Sequence, residues 1–166
     1  MTGERLAGYL NALSDERARA ALQSCCGARR WVDAMLAARP FASDAELLAT
    51  AERVWWRLGR ADWLEAFAAH PRIGDPQKAM TDWARREQVG ADGAAVATLT
   101  ALAQGNLTYQ QRFGHVFLIS ATGKSADEML GALRGRLTND PTTELRIAAE
   151  EQAKITRLRL HKLVVS

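Results

Sequence analysis

The sequence predicts an all-α fold, a single-domain bundle of seven to eight helices spanning residues 1–166. Three observations predict it. Helix-capping residues recur ahead of runs with apolar spacing of three and four. Glycine and proline fall between those runs. The chain holds one strand-like stretch, with no second stretch to pair with it.

Taken in order, Ser14-Asp15-Glu16 opens the first clear helix with a capping side chain and acids in its first turn. A second helix runs from about Ala28 to Ala38, with Trp31, Met35 and Ala38 on one face. Arg39-Pro40 ends it, because proline disfavours helical geometry in the residue before it. Ser43-Asp44-Ala45-Glu46 is a capping box for a helix carrying Leu47, Leu48, Val54, Trp55 and Leu58, and Gly59 is expected as its stop. Ala61 to His70 forms another helix, broken by Pro71 and followed by a rigid loop, Pro71-Arg72-Ile73-Gly74-Asp75-Pro76.

Gln77 to about Val89 is helical again, and Ala94 to about Arg112 is a long helix despite Gly105. The strand-like stretch His115 to Ser120 is expected as an extended buried connection or a short helical turn. Ser125-Ala126-Asp127-Glu128 starts the helix that reaches Leu137. Asp140-Pro141 supplies a cap and a first-turn proline for the last helix, about Thr142 to Val164.

Composition narrows the function classes. The 22 basic and 19 acidic side chains leave a formal charge of +3, too mild and too evenly spread for a nucleic-acid surface. No apolar run approaches the ~18 residues of a membrane span, and residues 1–13 hold no signal-peptide core, so the expected location is cytoplasmic. The two cysteines, Cys25 and Cys26, are adjacent and lack a second pair at zinc spacing; they are expected as free, buried thiols. With no HExxH, CxxC, GxGxxG or P-loop, neither a metal nor a nucleotide cofactor is expected.

Three side chains stand where their chemistry is costly. In the last helix Arg159 falls within a stripe drawn through Leu145, Ala148, Ala149, Gln152, Ile155 and Leu163, while Arg157 points away. A guanidinium on such a stripe either pairs internally or clamps an anion. Glu87 shares a face with Met80, Trp83 and Ala84, where burial would raise its carboxyl pKa and a cationic partner would lower it. His70 ends a helix, whose dipole there favours imidazolium, and it opens the Pro/Gly loop.

These positions coincide with a known pattern. His70-Pro71-Arg72-Ile73-Gly74-Asp75 resembles the HPRIG(D/E) signature of the 2-oxo-4-hydroxy-4-carboxy-5-ureidoimidazoline (OHCU) decarboxylase family. Glu87-Gln88 is similar to that family's EQ pair, and residues 113–125 to its FGxxFxxxAxG(K/R)S block. Arg136-Leu137-Thr138-Asn139 and the stretch Ile155 to Leu160 fit as well, so the resemblance runs from about Phe41 to Leu160.

The resemblance implies cofactor-free decarboxylation of OHCU to (S)-allantoin in urate degradation, by an all-helical homodimer. It implies His70, Glu87 and Arg159 as catalytic residues. His70 would be the acid/base, and Arg159 would hold an anionic oxygen. Pro71, Ala84, Gln88, Phe117 and Ile119 would contact substrate, with Glu87 and Gln88 orienting the ring and backbone groups near Pro71 and Ile119 lining the pocket. Many members carry serine where this chain has Ala84, three residues before the glutamate. That missing hydroxyl is the one feature favouring the alternative, a non-catalytic helical ligand-binding homologue.

Overall fold

A computed structural model describes residues 5–70 and 93–165. Eight helices lie within the described residues: α1 (Arg5–Ala12), α2 (Asp15–Cys25), α3 (Arg29–Ala38), α4 (Asp44–Arg57), α5 (Arg60–Ala68), α6 (Gly93–Phe113), α7 (Ala126–Arg136) and α8 (Pro141–Lys162). The expected all-α class holds. The predicted helix over 77–89 lies outside the described residues. Contacts divide the chain into two compact units, one of 1–69 with 149–166 and one of 70–148.

In the first unit α3 packs against α2, α4 and α5, and α1 packs against α4. Trp31, Val32 and Met35 give α3 its buried face. The Trp31 indole N–H donates to the Ala51 carbonyl at 3.0 Å, and that of Trp55 to Ala149 at 3.0 Å, so each large ring is buried with its polar atom satisfied. Ala38, expected on the same face, is exposed.

The caps form where the sequence places them. Ser14 accepts from the Arg17 N–H at 3.2 Å and Ser43 from the Glu46 N–H at 3.1 Å. The return bond of the second box differs by one residue: Glu46 accepts from Ala42, at 2.6 Å. Gly59 stands at the stop position expected of it, directly after the C-cap Leu58, but not in a left-handed conformation: its φ is −97° and it is also the N-cap of α5.

The short α1 was not apparent from residue pattern, because it is held from outside. Asp44 accepts from the N–H groups of Leu6 (3.3 Å) and Ala7 (2.7 Å), and Arg39 donates to the carbonyls of Leu10 (2.8 Å) and Leu13 (2.9 Å). Helix ends otherwise leave these groups unsatisfied.

The second unit is built on α6 against α7, over a core of Leu102, Tyr109, Phe117, Ile119, Met129, Leu130 and Leu133. Gly105, costly inside a helix on propensity alone, has a packing reason. A Cβ there would stand 2.5 Å from a terminal methyl of Leu133 and 3.3 Å from its Cγ, so a larger residue would have to displace the Leu133 side chain from its place against α6. Residues 116–120 form a non-helical connection, buried over 117–120, so of the two forms expected for His115 to Ser120 the buried connection is the one adopted.

Candidate functional site

His70 follows α5 by two residues and is half-buried. What places the end of α5 is a set of contacts with the turn joining α2 to α3. The N-cap of α3, Ala28, has no capping side chain. Glu65 of α5 supplies the missing acceptor: it takes the Arg29 N–H at 2.7 Å and the Arg29 Nε at 3.3 Å. Asp62 pairs with Arg30 at 3.3 Å and also accepts from the Gly59 N–H at 3.2 Å. At the other end of α5, Ala69 lies so close to Gly27 that a Cβ at position 27 would stand 2.7 Å from the Ala69 Cβ.

Burial pushes both the Cys25 and Cys26 thiols up to about 11; Ser24 and then the Arg159 charge of α8 lower the first, and Ala28, Thr156 and the same Arg159 charge lower the second. The buried line of α8 runs through Ala148, Gln152, Thr156 and Leu160. Arg159 sits on its margin, half-buried, rather than in the middle as the sequence stripe suggests. The difference is a register error of one residue: Ile155 and Leu163 are half-buried, and the polar Thr156 takes the central place. Thus Ala69, adjoining His70 in the chain, packs against the turn Cys25 to Ala28, and the charge of Arg159 acts on the two thiols of the same turn.

Phe117 and Ile119 belong to the second unit, with side chains in its core. Their segment is held by a buried polar network. Glu144, fully buried, accepts through Oε1 from the Tyr109 hydroxyl at 2.5 Å and from Arg136 Nε at 2.6 Å, and through Oε2 from Asn139 at 3.0 Å. Arg136 also donates through Nη1 to the Leu118 carbonyl, and its guanidinium lies 4.6 Å from the Phe117 ring centroid. Burial, and then the bond to Glu144, raise the Tyr109 hydroxyl pKa well above the usual phenol range. The fork of Arg136 thereby fixes the peptide between the two candidate contact residues. Sequence reading quoted Arg136 within a motif and missed Glu144 and Tyr109. An acid in a first helical turn ordinarily signals only a favourable dipole contact at the surface.

Pro71, Ala84, Glu87 and Gln88 lie outside the described residues. Within them, a shallow cleft opens between α4 and α8, lined by residues that include Leu48, Trp55, Ala153, Thr156, Arg157 and Leu160; none of His70, Phe117, Ile119 or Arg159 lines it. Among the described residues, no group of three His, Cys, Asp or Glu could hold a metal ion, and no helix is long and apolar enough to cross a membrane.

The profile of one protein family, OHCU decarboxylase, matches residues 11–161. The chain belongs to the OHCU decarboxylase family. Among the relatives it resembles, the uric acid degradation bifunctional protein TTL of Arabidopsis thaliana is 43% identical over 147 residues, covering 84% of this chain and 45% of that protein. The chain therefore spans under half of that relative's length. A 2-oxo-4-hydroxy-4-carboxy-5-ureidoimidazoline decarboxylase of Haloferax volcanii is 32% identical over 124 residues, covering 74% of this chain and 73% of the relative. A crystal structure of OHCU decarboxylase in the presence of (S)-allantoin superposes with a TM-score of 0.75 at 37% identity, covering 93% of this chain and all of the other. An (S)-allantoin synthase structure, 19% identical with a TM-score of 0.72, shares the OHCU decarboxylase fold.

Proposed function

We propose that the chain decarboxylates OHCU to (S)-allantoin in urate degradation, with His70, Glu87 and Arg159 as its catalytic residues. The observation that carries this reading is the family match, which runs from residue 11 to residue 161 through both compact units. The likeness to a decarboxylase solved in the presence of (S)-allantoin supports it, as that chain is covered end to end. One catalytic domain over 1–166, assembled as a homodimer in the cytoplasm and needing no nucleic-acid partner, is part of the same proposal.

The substrate carries a carboxylate and a hydroxyl on one ring carbon, beside a ring C=N. When the bond to the carboxylate breaks, CO2 leaves and the electron pair moves into the adjacent imine, whose nitrogen takes up a proton. The hydroxyl carbon then becomes a carbonyl as its O–H proton is lost, and the neighbouring ring carbon is protonated. The ring is its own electron sink.

The enzyme's task is to align groups and deliver the proton to one face. His70 exchanges the proton with the hydroxyl or with the carbon being protonated, and its position sets the hand of the product. Glu87 and Gln88 hydrogen-bond the ureido and ring N–H groups. Arg159 holds an anionic oxygen in its planar fork. The backbone at Pro71, Phe117 and Ile119 lines the pocket, since the side chains of Phe117 and Ile119 are committed to a core. Ala84 leaves out a hydroxyl donor, a hydrogen bond worth about 1 kcal/mol.

The test is chiral analysis of the product from OHCU freshly generated by urate oxidation. Faster disappearance of OHCU with an excess of (S)-allantoin is expected. Racemic allantoin at the spontaneous rate would leave the chain as a ligand-binding homologue.

A further inference from the structure

The turn between α2 and α3 packs against the end of α5, two residues ahead of His70, and its thiols feel the charge of Arg159 in α8. Gly27 meets Ala69, with room for no more than a hydrogen: a Cβ built on Gly27 would come within 2.7 Å of the Ala69 Cβ. Cβ atoms need nearly an ångström more than that at van der Waals contact. The φ of Gly27 is not positive, so the constraint is space rather than backbone conformation. Cys26, at the start of the turn, is buried, and burial raises its thiol pKa to about 11 against the lowering influence of Ala28, Thr156 and Arg159.

The turn cannot easily yield. Cys25 and Cys26 are buried at its start, Ala28 is fully buried at its end, and the first N–H of α3 is taken by Glu65 of α5. Added bulk at position 27 must therefore move the end of α5, and the next residue in the chain is His70.

We infer that Gly27 is a positioning residue, a spacer of minimal size that lets α5 end close against the α2–α3 turn and so sets where His70 stands in the reaction. This rests on the proposed role of His70. Gly27 touches no substrate; it acts through Ala69. Displacing a reacting group by a fraction of an ångström lowers the chemical step more than it weakens substrate binding, because alignment matters most in the transition state.

The experiment is a size swap. Gly27→Ala, Ala69→Gly and the double variant are assayed for kcat and KM on OHCU, with thermal midpoints alongside, and His70→Asn is measured in parallel. Gly27→Ala is expected to lose between about tenfold and a hundredfold in kcat with a smaller change in KM. The double variant, which moves the methyl group from one side of the contact to the other, is expected to regain most of that loss. Wild-type kcat in Gly27→Ala overturns the inference, and so does a double variant that stays as slow as the single one. A double variant that does not fold also counts against it, because the swap conserves the volume at the contact. Full activity in His70→Asn removes the catalytic assignment itself. Inactive His70→Asn beside fully active Gly27→Ala removes only the spacer.

Discussion

Arg159 presents a planar fork of donors from a helix margin, and lysine in its place would present a point charge on a flexible stem. If the fork grips substrate through two hydrogen bonds, Arg159→Lys should cost nearly as much kcat/KM as Arg159→Ala; a lysine variant near wild type would show that charge alone suffices. His70→Asn should lose at least about a hundredfold in kcat, the usual contribution of a positioned acid/base. The buried trio of Arg136, Glu144 and Tyr109 makes a different kind of claim, on stability. Arg136→Leu strips the cation from a fully buried carboxylate and should destabilise the protein by about 3–5 kcal/mol. Arg136→Leu/Glu144→Leu should recover much of that in urea denaturation, and no recovery would mean the network is worth more than its desolvation. His70 could be identified before any coordinates because its motif is contiguous. The trio could not, since Tyr109, Arg136 and Glu144 come from three helices and each looks ordinary alone.

Among elements, those that carry their own boundary signals were legible. Ser14, Ser43, Ser125 and Asp140 each cap the helix expected of them, and Asp140, whose carboxyl is held below its usual range chiefly by the Thr143 N–H, does so beside Pro141. Elements fixed by distant groups were not. Helix α1 depends on Asp44 and Arg39, and the start of α3 depends on Glu65, thirty-six residues away in sequence. The second role of Gly59 was not legible, because a glycine between two helices serves equally as a stop or as a start, and here Asp62 reaches back to make it the start of α5 as well. The burial of α8 was misread by one position because Thr156 is polar, and hydrophobicity alone cannot see a polar side chain paired with its neighbour, as Thr156 is with Gln152 at 2.9 Å.

Asp44 offers a test at this scale. Asp44→Ala removes the acceptor for two N–H groups of α1 and should cost about 1–2 kcal/mol. Amide exchange should quicken across residues 6–12. Ser43→Ala, which uncaps α4 alone, should cost about 1 kcal/mol without opening α1. Equal exchange of α1 in the two variants would remove the proposed anchor.

For the molecule as a whole, three buried acids share one sign of linkage to pH. Cys25 and Cys26 in the first unit are raised to about 11 from 9.0, and Tyr109 in the second is raised above its ordinary 10.0. In each case the folded chain keeps its proton longer than the unfolded chain does. The stability this supplies is fully present below the unfolded value and is lost as pH rises toward the folded one. For the thiols the window is therefore pH 9 to about 11. A shift of this size is worth on the order of 3 kcal/mol per thiol at the top of the window. Tyr109 adds its share above pH 10. Urea denaturation under reducing conditions should show a flat stability near pH 8 and a steep fall between pH 9 and 11. Cys25→Ala/Cys26→Ala should flatten the lower part of that fall, and adding Tyr109→Phe should flatten the rest. Thiols that already ionise near pH 9 in the folded protein would give the cysteine-free variant the same slope as wild type. That result would mean the α2–α3 turn is open to solvent, and a turn so exposed could not serve as the spacer proposed for Gly27.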